Sequence, residues 1–131
     1  MGAVGRLLVI EDTLDFLDAL NEWFTHAGYD VDCAEDGNTG IARFFEHRPD
    51  VVLLDLRLPD LPGEDVFMHL HRLDEQVPIV ILSANDDVTL AKELLQVGAF
   101  DYVRKPADLE LIERIVAAAL ADGAGRMRHR A

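Results

Sequence analysis

The sequence predicts an α/β fold, a three-layer doubly wound domain built on a parallel sheet. Two observations carry that prediction. Five short runs with strand character alternate with five segments whose apolar residues recur at helical spacing. Two of the runs, "VVLL" at 51–54 and "IVIL" at 79–82, are apolar without interruption, as in strands covered on both faces. Such alternation calls for right-handed β-α-β crossovers, and 131 residues suit a single domain.

Each element has its own signal. "RLLVI" (6–10) is the first strand. Phe16, Leu20, Trp23, Phe24 and Ala27 then line one face of a helix that stops at Gly28. "YDVDCA" (29–34) is the second strand, and Ile41, Phe44 and Phe45 mark a helix ended by Pro49. After the third strand, 51–54, Val66, Leu70 and Leu73 mark a helix opened near Gly63 and followed by Pro78. After the fourth, 79–82, Leu90, Ala91, Leu94 and Leu95 mark a helix closed by Gly98. The weaker "FDYV" (100–103) is the fifth strand. The last helix carries Ile112, Ile115, Val116 and Ala119, with Asp108 as its N-cap and a stop near Gly123. Residues 1–121 thus form the domain, and "DGAGRMRHRA" (122–131), where the apolar period is lost, reads as a tail or the start of a linker. Periodicity leaves the strand order open.

Composition narrows the function. Half the residues are hydrophobic and 28% are charged, which supports a packed core and excludes a disordered chain. The net charge of −13 argues against direct nucleic-acid binding, which needs clustered Lys and Arg. Cys33 is the single cysteine, so no intrachain disulfide can form. No apolar stretch approaches the roughly 18 residues of a membrane span, and "MGAVGR" lacks the pattern of a secretory signal. A cytoplasmic location is the simple expectation. His26, His47, His69, His71 and His129 read as solvated, with His69 and His71 facing different ways on one helix.

In open α/β sheets, ligands bind at the carboxyl ends of the strands. The residues there are Glu11 and Asp12 after the first strand, Asp55 after the third, Ser83 after the fourth, and Lys105 with Pro106 after the fifth. Two carboxylates about 4 Å apart repel by ~4 kcal/mol at an effective dielectric near 20. Three of them must share protons or hold a cation. An all-oxygen donor set at strand-end loops suits Mg²⁺, and a magnesium ion with a lysine beside one carboxylate is the arrangement phosphoryl transfer requires. A carboxylate so placed can itself be the nucleophile. Each residue also has a plainer role available: Asp55 as a turn cap, Ser83 as a helix cap, Tyr102 as ordinary core. It is their common register at one edge that argues for a site.

These residues carry a family resemblance over 6 to about 121. The ordered set is Glu11-Asp12, then Asp55 followed by Pro59 and Gly63, then Ser83-Ala84, then "GAFDYVRKP" at 98–106. It resembles the receiver domain of two-component response regulators. The resemblance implies the flavodoxin-like strand order 2-1-3-4-5 and a phosphorylation-dependent signalling switch, which is not a conventional enzyme although it catalyses its own phosphoryl transfer. It implies that Asp55 is the phosphoacceptor. Asp12 would bind Mg²⁺ directly, Glu11 mainly through water, and the Arg57 backbone carbonyl would be a further ligand. It also implies Lys105 on the phosphoryl oxygens, Ser83 and Tyr102 as switch residues, and a cis bond before Pro106. The implied partners are a sensor histidine kinase or histidine phosphotransfer protein and a downstream effector. Homodimerisation on phosphorylation, through the fourth and fifth helices, is compatible with the pattern.

Some positions depart from the commonest family choice. Glu11 stands where aspartate is more frequent. Arg57 and Asn85 occupy variable positions that tune phosphoryl-group lifetime; Arg57 either folds over the site as a second cation or points to solvent. Other aspartyl-phosphate or phosphate-binding readings fail on single features. A haloacid-dehalogenase-type phosphatase needs a proton-donating acid at position 57, where arginine stands. A flavodoxin-like binding module needs a phosphate cradle in place of "EDTLD", and a P-loop needs a Gly-x-x-x-x-Gly-Lys that is absent. The alternative inside the family is a degenerate receiver, acting as a phosphorylation-independent interaction module.

Overall fold

A computed structural model describes residues 2–130, with side chains for residues 2–123. Five strands form one sheet: β1 (Arg6–Ile10), β2 (Asp30–Ala34), β3 (Val51–Asp55), β4 (Ile79–Ser83) and β5 (Asp101–Arg104). Their order is β2-β1-β3-β4-β5, and every pairing is parallel. The helices are α1 (Leu14–His26), α2 (Gly37–Glu46), α3 (Gly63–Leu73), α4 (Val88–Gln96) and α5 (Leu109–Arg130). A single 3-10 turn, Asn85–Asp87, precedes α4. No helix among the described residues is long and apolar enough to cross a membrane.

Strand alternation builds two cores. Leu8, Ile10, Val52, Leu54, Ile79 and Ile81 pack against α2, α3 and α4 through Phe44, Phe67 and Leu94. Their neighbours Leu7, Val9, Val51, Leu53, Val80 and Leu82 pack against α1 and α5 through Leu20, Phe24 and Val116. Both faces of the sheet are therefore dry, which is why β3 and β4 are apolar at consecutive positions. On the outside of the second layer, the Trp23 indole N–H donates to Glu113 at 2.7 Å and ties α1 to α5.

The helix ends follow local chemistry. The Asp36 side chain accepts from the Thr39 N–H at 2.7 Å and caps α2, while Asp108 accepts from the Glu110 N–H at 3.0 Å at the start of α5. Gly28 and Gly98, with φ of 96° and 126°, turn the chain out of α1 and α4.

Three expectations change. Phe45 is not on the packed face of α2: it is 65% exposed, its ring under the Arg48 guanidinium, and Phe44 alone enters the core. His71 is not simply solvated, because it stacks on Phe67 at 5.5 Å beside Gly98. The last helix does not stop near Gly123 but continues to Arg130. A helical glycine costs only about 1 kcal/mol against alanine, and no proline follows to break the helix. The side chains of Arg126, Arg128, His129 and Arg130, and Ala131 altogether, lie outside the described residues.

Two glycines should respond oppositely to alanine. At Gly63 a Cβ would lie 2.3 Å from the Leu56 Cα and 2.5 Å from its carbonyl oxygen, backbone that cannot give way. Gly63→Ala should cost about 2–3 kcal/mol in urea unfolding. At Gly123 the nearest atom is the Pro78 Cδ at 3.7 Å, an ordinary contact inside a helix. Gly123→Ala should therefore stabilise by about 0.5–1 kcal/mol, and destabilisation there would restore the helix stop near this residue.

Candidate functional site

The parallel order brings the carboxyl ends of β1, β3, β4 and β5 to one edge. Asp55 is the last residue of β3 and only 4% exposed. Glu11 follows β1 directly; its N–H still bonds the Ala34 carbonyl at 3.0 Å, so the ladder holds it in place, and the residue is fully buried. Asp12, one position on, turns out to solvent. One oxygen from each of these three carboxylates lies within 4.8 Å of the others. The sequence-predicted acidic residues thus do converge.

Lys105 is the positive charge set against them. Its Nζ is 2.6 Å from Glu11 Oε1 and 3.4 Å from Asp55 Oδ2, and it sits 5.3 Å over the Phe16 ring. The Lys105 N–H bonds the Ser83 carbonyl at 2.8 Å, carrying β5 pairing one residue past the strand. The Lys105–Pro106 peptide is cis, as the resemblance implied. One ammonium does not balance three carboxylates. Burial, and next the Glu11 charge, push the Asp55 carboxyl up to about 7, against the opposing pull of the Arg57 N–H and Lys105.

The other predicted residues lie close by. The Arg57 N–H donates to Asp55 Oδ1 at 3.2 Å. The Arg57 side chain neither covers the site nor points freely to solvent. It spans to the turn before α4, with Nη2 2.5 Å from Asp86 Oδ2 and Nε 2.8 Å from Asp87 Oδ2. Those two carboxylates hold its guanidinium more firmly protonated than usual. Ser83 is fully buried at the end of β4, and its hydroxyl donates to the Ala84 carbonyl at 3.0 Å, so it does not cap the following turn. Tyr102 is half-buried on β5, packed against the core beneath α4.

Sequence reasoning misses four participants. Phe16 was assigned only to the core face of the first helix, yet its ring backs Lys105. Asp86 and Asp87 carry no site role in the sequence reading, although two adjacent acids facing an arginine two residues past Asp55 are a readable charge pattern. Asp60 is not singled out by the sequence, but it accepts from the Gly37 N–H at 2.8 Å and the Asn38 N–H at 2.9 Å. No local sequence signal announces that contact.

The donor set fits a hard divalent cation. It is all oxygen, one member is exposed enough to be reached, and the excess negative charge is uncompensated. Glu11 Oε1 is buried and meets no hydrogen bond of good geometry among the described residues, despite its charge contact with Lys105.

Known proteins resemble this chain in sequence and fold. The profile of the response regulator receiver domain family matches residues 7–117. The chain is 35% identical over 120 residues to the regulatory protein AtoC of Escherichia coli, covering 92% of this chain and 26% of that protein. It is 37% identical over 113 residues to the transcriptional regulatory protein PrrA of Mycobacterium bovis, covering 86% of this chain and 48% of that one. It therefore spans about a quarter to a half of the length of these curated relatives. A response regulator receiver domain protein from Clostridium thermocellum superposes with a TM-score of 0.84 at 25% identity, covering 98% of this chain and 100% of that one. With its strand order agreeing with that fold, the chain belongs to the response regulator receiver domain family of two-component systems.

Proposed function

We propose that Asp55 accepts a phosphoryl group from a histidine kinase or a histidine phosphotransfer protein, and that the phosphorylated domain controls a downstream partner or effector domain. The observation carrying this reading is the buried Asp55 carboxylate, flanked by Lys105 and by two further carboxylates at the sheet edge. In the transfer, an Asp55 oxygen bonds to phosphorus as the phosphorus–nitrogen bond of the donor breaks, and the electron pair returns to the imidazole. Lys105, already 3.4 Å from Asp55, stays beside the new acyl phosphate and neutralises one of its oxygens.

Asp12, Asp55 and the Arg57 carbonyl would hold Mg²⁺, with Glu11 acting mainly through water because its carboxylate is buried on Lys105. Bound there, Mg²⁺ would supply charge neutralisation on the transferring phosphoryl oxygens. The raised pKa of Asp55 supports the need for it, since burial and the Glu11 charge disfavour the ionised, nucleophilic form that a second cation would favour. The same residues would serve water attack on the acyl phosphate, giving the domain its own dephosphorylation.

Ser83 and Tyr102 form the switch in this reading. The Ser83 hydroxyl exchanges its bond to the Ala84 carbonyl for one to the phosphoryl group, drawing the β4–α4 turn inward. Ser83 and Tyr102 share the sheet face covered by α4, so the space that the turn leaves is open to the Tyr102 ring. The Arg57 bridge to Asp86 and Asp87 restrains that same turn and would tune how readily it moves. The names of the relatives, both regulatory proteins longer than this chain, support an output lying outside it.

Intact mass after incubation with acetyl phosphate tests the reading directly. A gain of about 80 Da, one phosphoryl group, is expected in wild type with Mg²⁺, and none without Mg²⁺ or in Asp55→Ala. Failure to form an adduct, with no beryllofluoride binding either, would instead favour a phosphorylation-independent interaction module.

The charge excess also predicts a pH dependence. Unfolded aspartate titrates near about 3.9, and folded Asp55 near about 7, so the folded state binds the extra proton between them. Stability from this group is fully present below pH ~4 and is lost as pH rises to ~7. Asp55→Asn in chelator should therefore be more stable than wild type by about 2–4 kcal/mol at pH 8, with the gap closing by pH 4. Equal urea midpoints at both pH values would show that the charge at Asp55 is already balanced.

A further inference from the structure

The β3–α3 loop, residues 56–62, carries the carbonyl that the proposed function assigns to the metal. Its internal shape is set by an antiparallel bridge between Arg57 and Pro62 and by the Gly63 N–H on the Leu56 carbonyl at 3.0 Å. Neither contact says where the loop sits relative to the acids on the β1 side. The Asp60 contact does. Its two oxygens take the N–H groups of Gly37 and Asn38, the first two residues of α2, at 2.8 and 2.9 Å.

Those groups belong to the set of four that every helix start leaves without partners. The helix's own cap, Asp36, takes the Thr39 N–H at 2.7 Å and leaves the other two to a carboxylate from 23 and 22 positions away. Gly37 makes the approach feasible: a Cβ there would lie 2.8 Å from the Val66 Cγ2 and 3.2 Å from Asp60 Oδ1. α2 follows β2, the strand whose Ala34 carbonyl holds the Glu11 N–H. The forked Asp60 carboxylate thus joins the loop bearing the Arg57 carbonyl to the side of the sheet bearing Glu11 and Asp12.

We propose that Asp60 is a positioning residue for the metal and phosphoryl site, anchoring the β3–α3 loop on the start of α2 so that the Arg57 carbonyl keeps its place against Asp55 and Asp12. The inference rests on the Mg²⁺-dependent reading above. It also explains the use of two carboxylates at one helix start: Asp36 serves the helix, and Asp60 serves the loop. Asp36 is therefore a built-in control, since removing either deletes one negative charge and one cap from the same helix end.

The experiment is calorimetric titration of metal-free protein with MgCl₂, for wild type, Asp60→Ala, Asp60→Asn and Asp36→Ala, with thermal midpoints taken in chelator. Both alanine variants should lower the midpoint. Only Asp60→Ala should weaken Mg²⁺ binding, by about tenfold, the lower end of what partners behind metal ligands contribute. Asp60→Asn, which keeps one acceptor oxygen, should recover part of the loss, and it is the folded comparison if the alanine variant fails to fold. Unchanged Mg²⁺ affinity in Asp60→Ala overturns the inference, as does equal weakening in Asp36→Ala, which would trace the loss to α2 stability. Absence of Mg²⁺ binding by wild type would overturn the reading on which the inference rests, and the inference with it.

Discussion

The dominant constraint on this molecule is that three carboxylates converge at the edge of a dry sheet with one ammonium to balance them. Asp55 and Glu11 are delivered by strand ladders, so neither can retreat into water without breaking backbone hydrogen bonds. Lys105 divides itself between the two, nearer to Glu11 than to Asp55. Burial, and next the Glu11 charge, raise the pKa of Asp55 against the pull of the Arg57 N–H and Lys105. A site in that condition is set up to gain from any added positive charge, and its folded state holds energy that a cation can release.

The surroundings of the site are held by contacts of a different kind. The sheet and its two apolar layers are buried and close-packed. The loops above it are tied by charged and polar side chains at the surface: Arg57 to Asp86 and Asp87, the Arg104 guanidinium to the Asn85 side chain at 3.0 Å, and Asp60 to α2. Exposed pairs of this sort are screened by salt and individually weak. Under the proposed reading the division matters, because the turn Asn85–Asp87 would change partners while the strands that fix Asp55 and Lys105 stay where they are. Arg57 touches both regimes, with its N–H on Asp55 and its guanidinium on the turn.

Much of this was legible in the sequence, for reasons that are local. The apolar strands, the glycines that end α1 and α4, and the polar residue after each strand are properties of neighbouring positions. The cis Lys105–Pro106 bond and the strand order came from family resemblance, since periodicity cannot supply either. What stayed hidden was tertiary. Asp60 reaches α2 across 23 positions with no signal to betray it, and Arg57 reaches Asp86 across the end of β4, where only the charge pattern hints at the pairing. Phe45 misled because it adjoins Phe44 in a helix, where adjacent residues point about 100° apart and only one of two can enter the core. The overrun at Gly123 misled for the opposite reason: glycine is a weak stop when nothing beyond it forbids a helix.

Strand alternation also assigns the two halves of the proposed switch to opposite sides of the sheet. Glu11 continues the parity of Leu7 and Val9, and Asp55 that of Val51 and Leu53, which face α1 and α5. Lys105 lies over Phe16, on α1, in agreement. Ser83 continues the parity of Ile79 and Ile81, and Tyr102 packs with them toward α4. Under the proposed reading, charge is therefore received on the α1 side and read out on the α4 side. The sheet between them is too tightly packed to transmit a graded displacement, but Ser83 bridges it, its backbone carbonyl held by the Lys105 N–H and its hydroxyl free to change acceptor. One hydroxyl between two fixed strands is a small part to carry the signal. It is sufficient if the side chains that tie down the turn it pulls are surface ones, and Arg57 with Asp86 and Asp87, and Arg104 with Asn85, meet that condition.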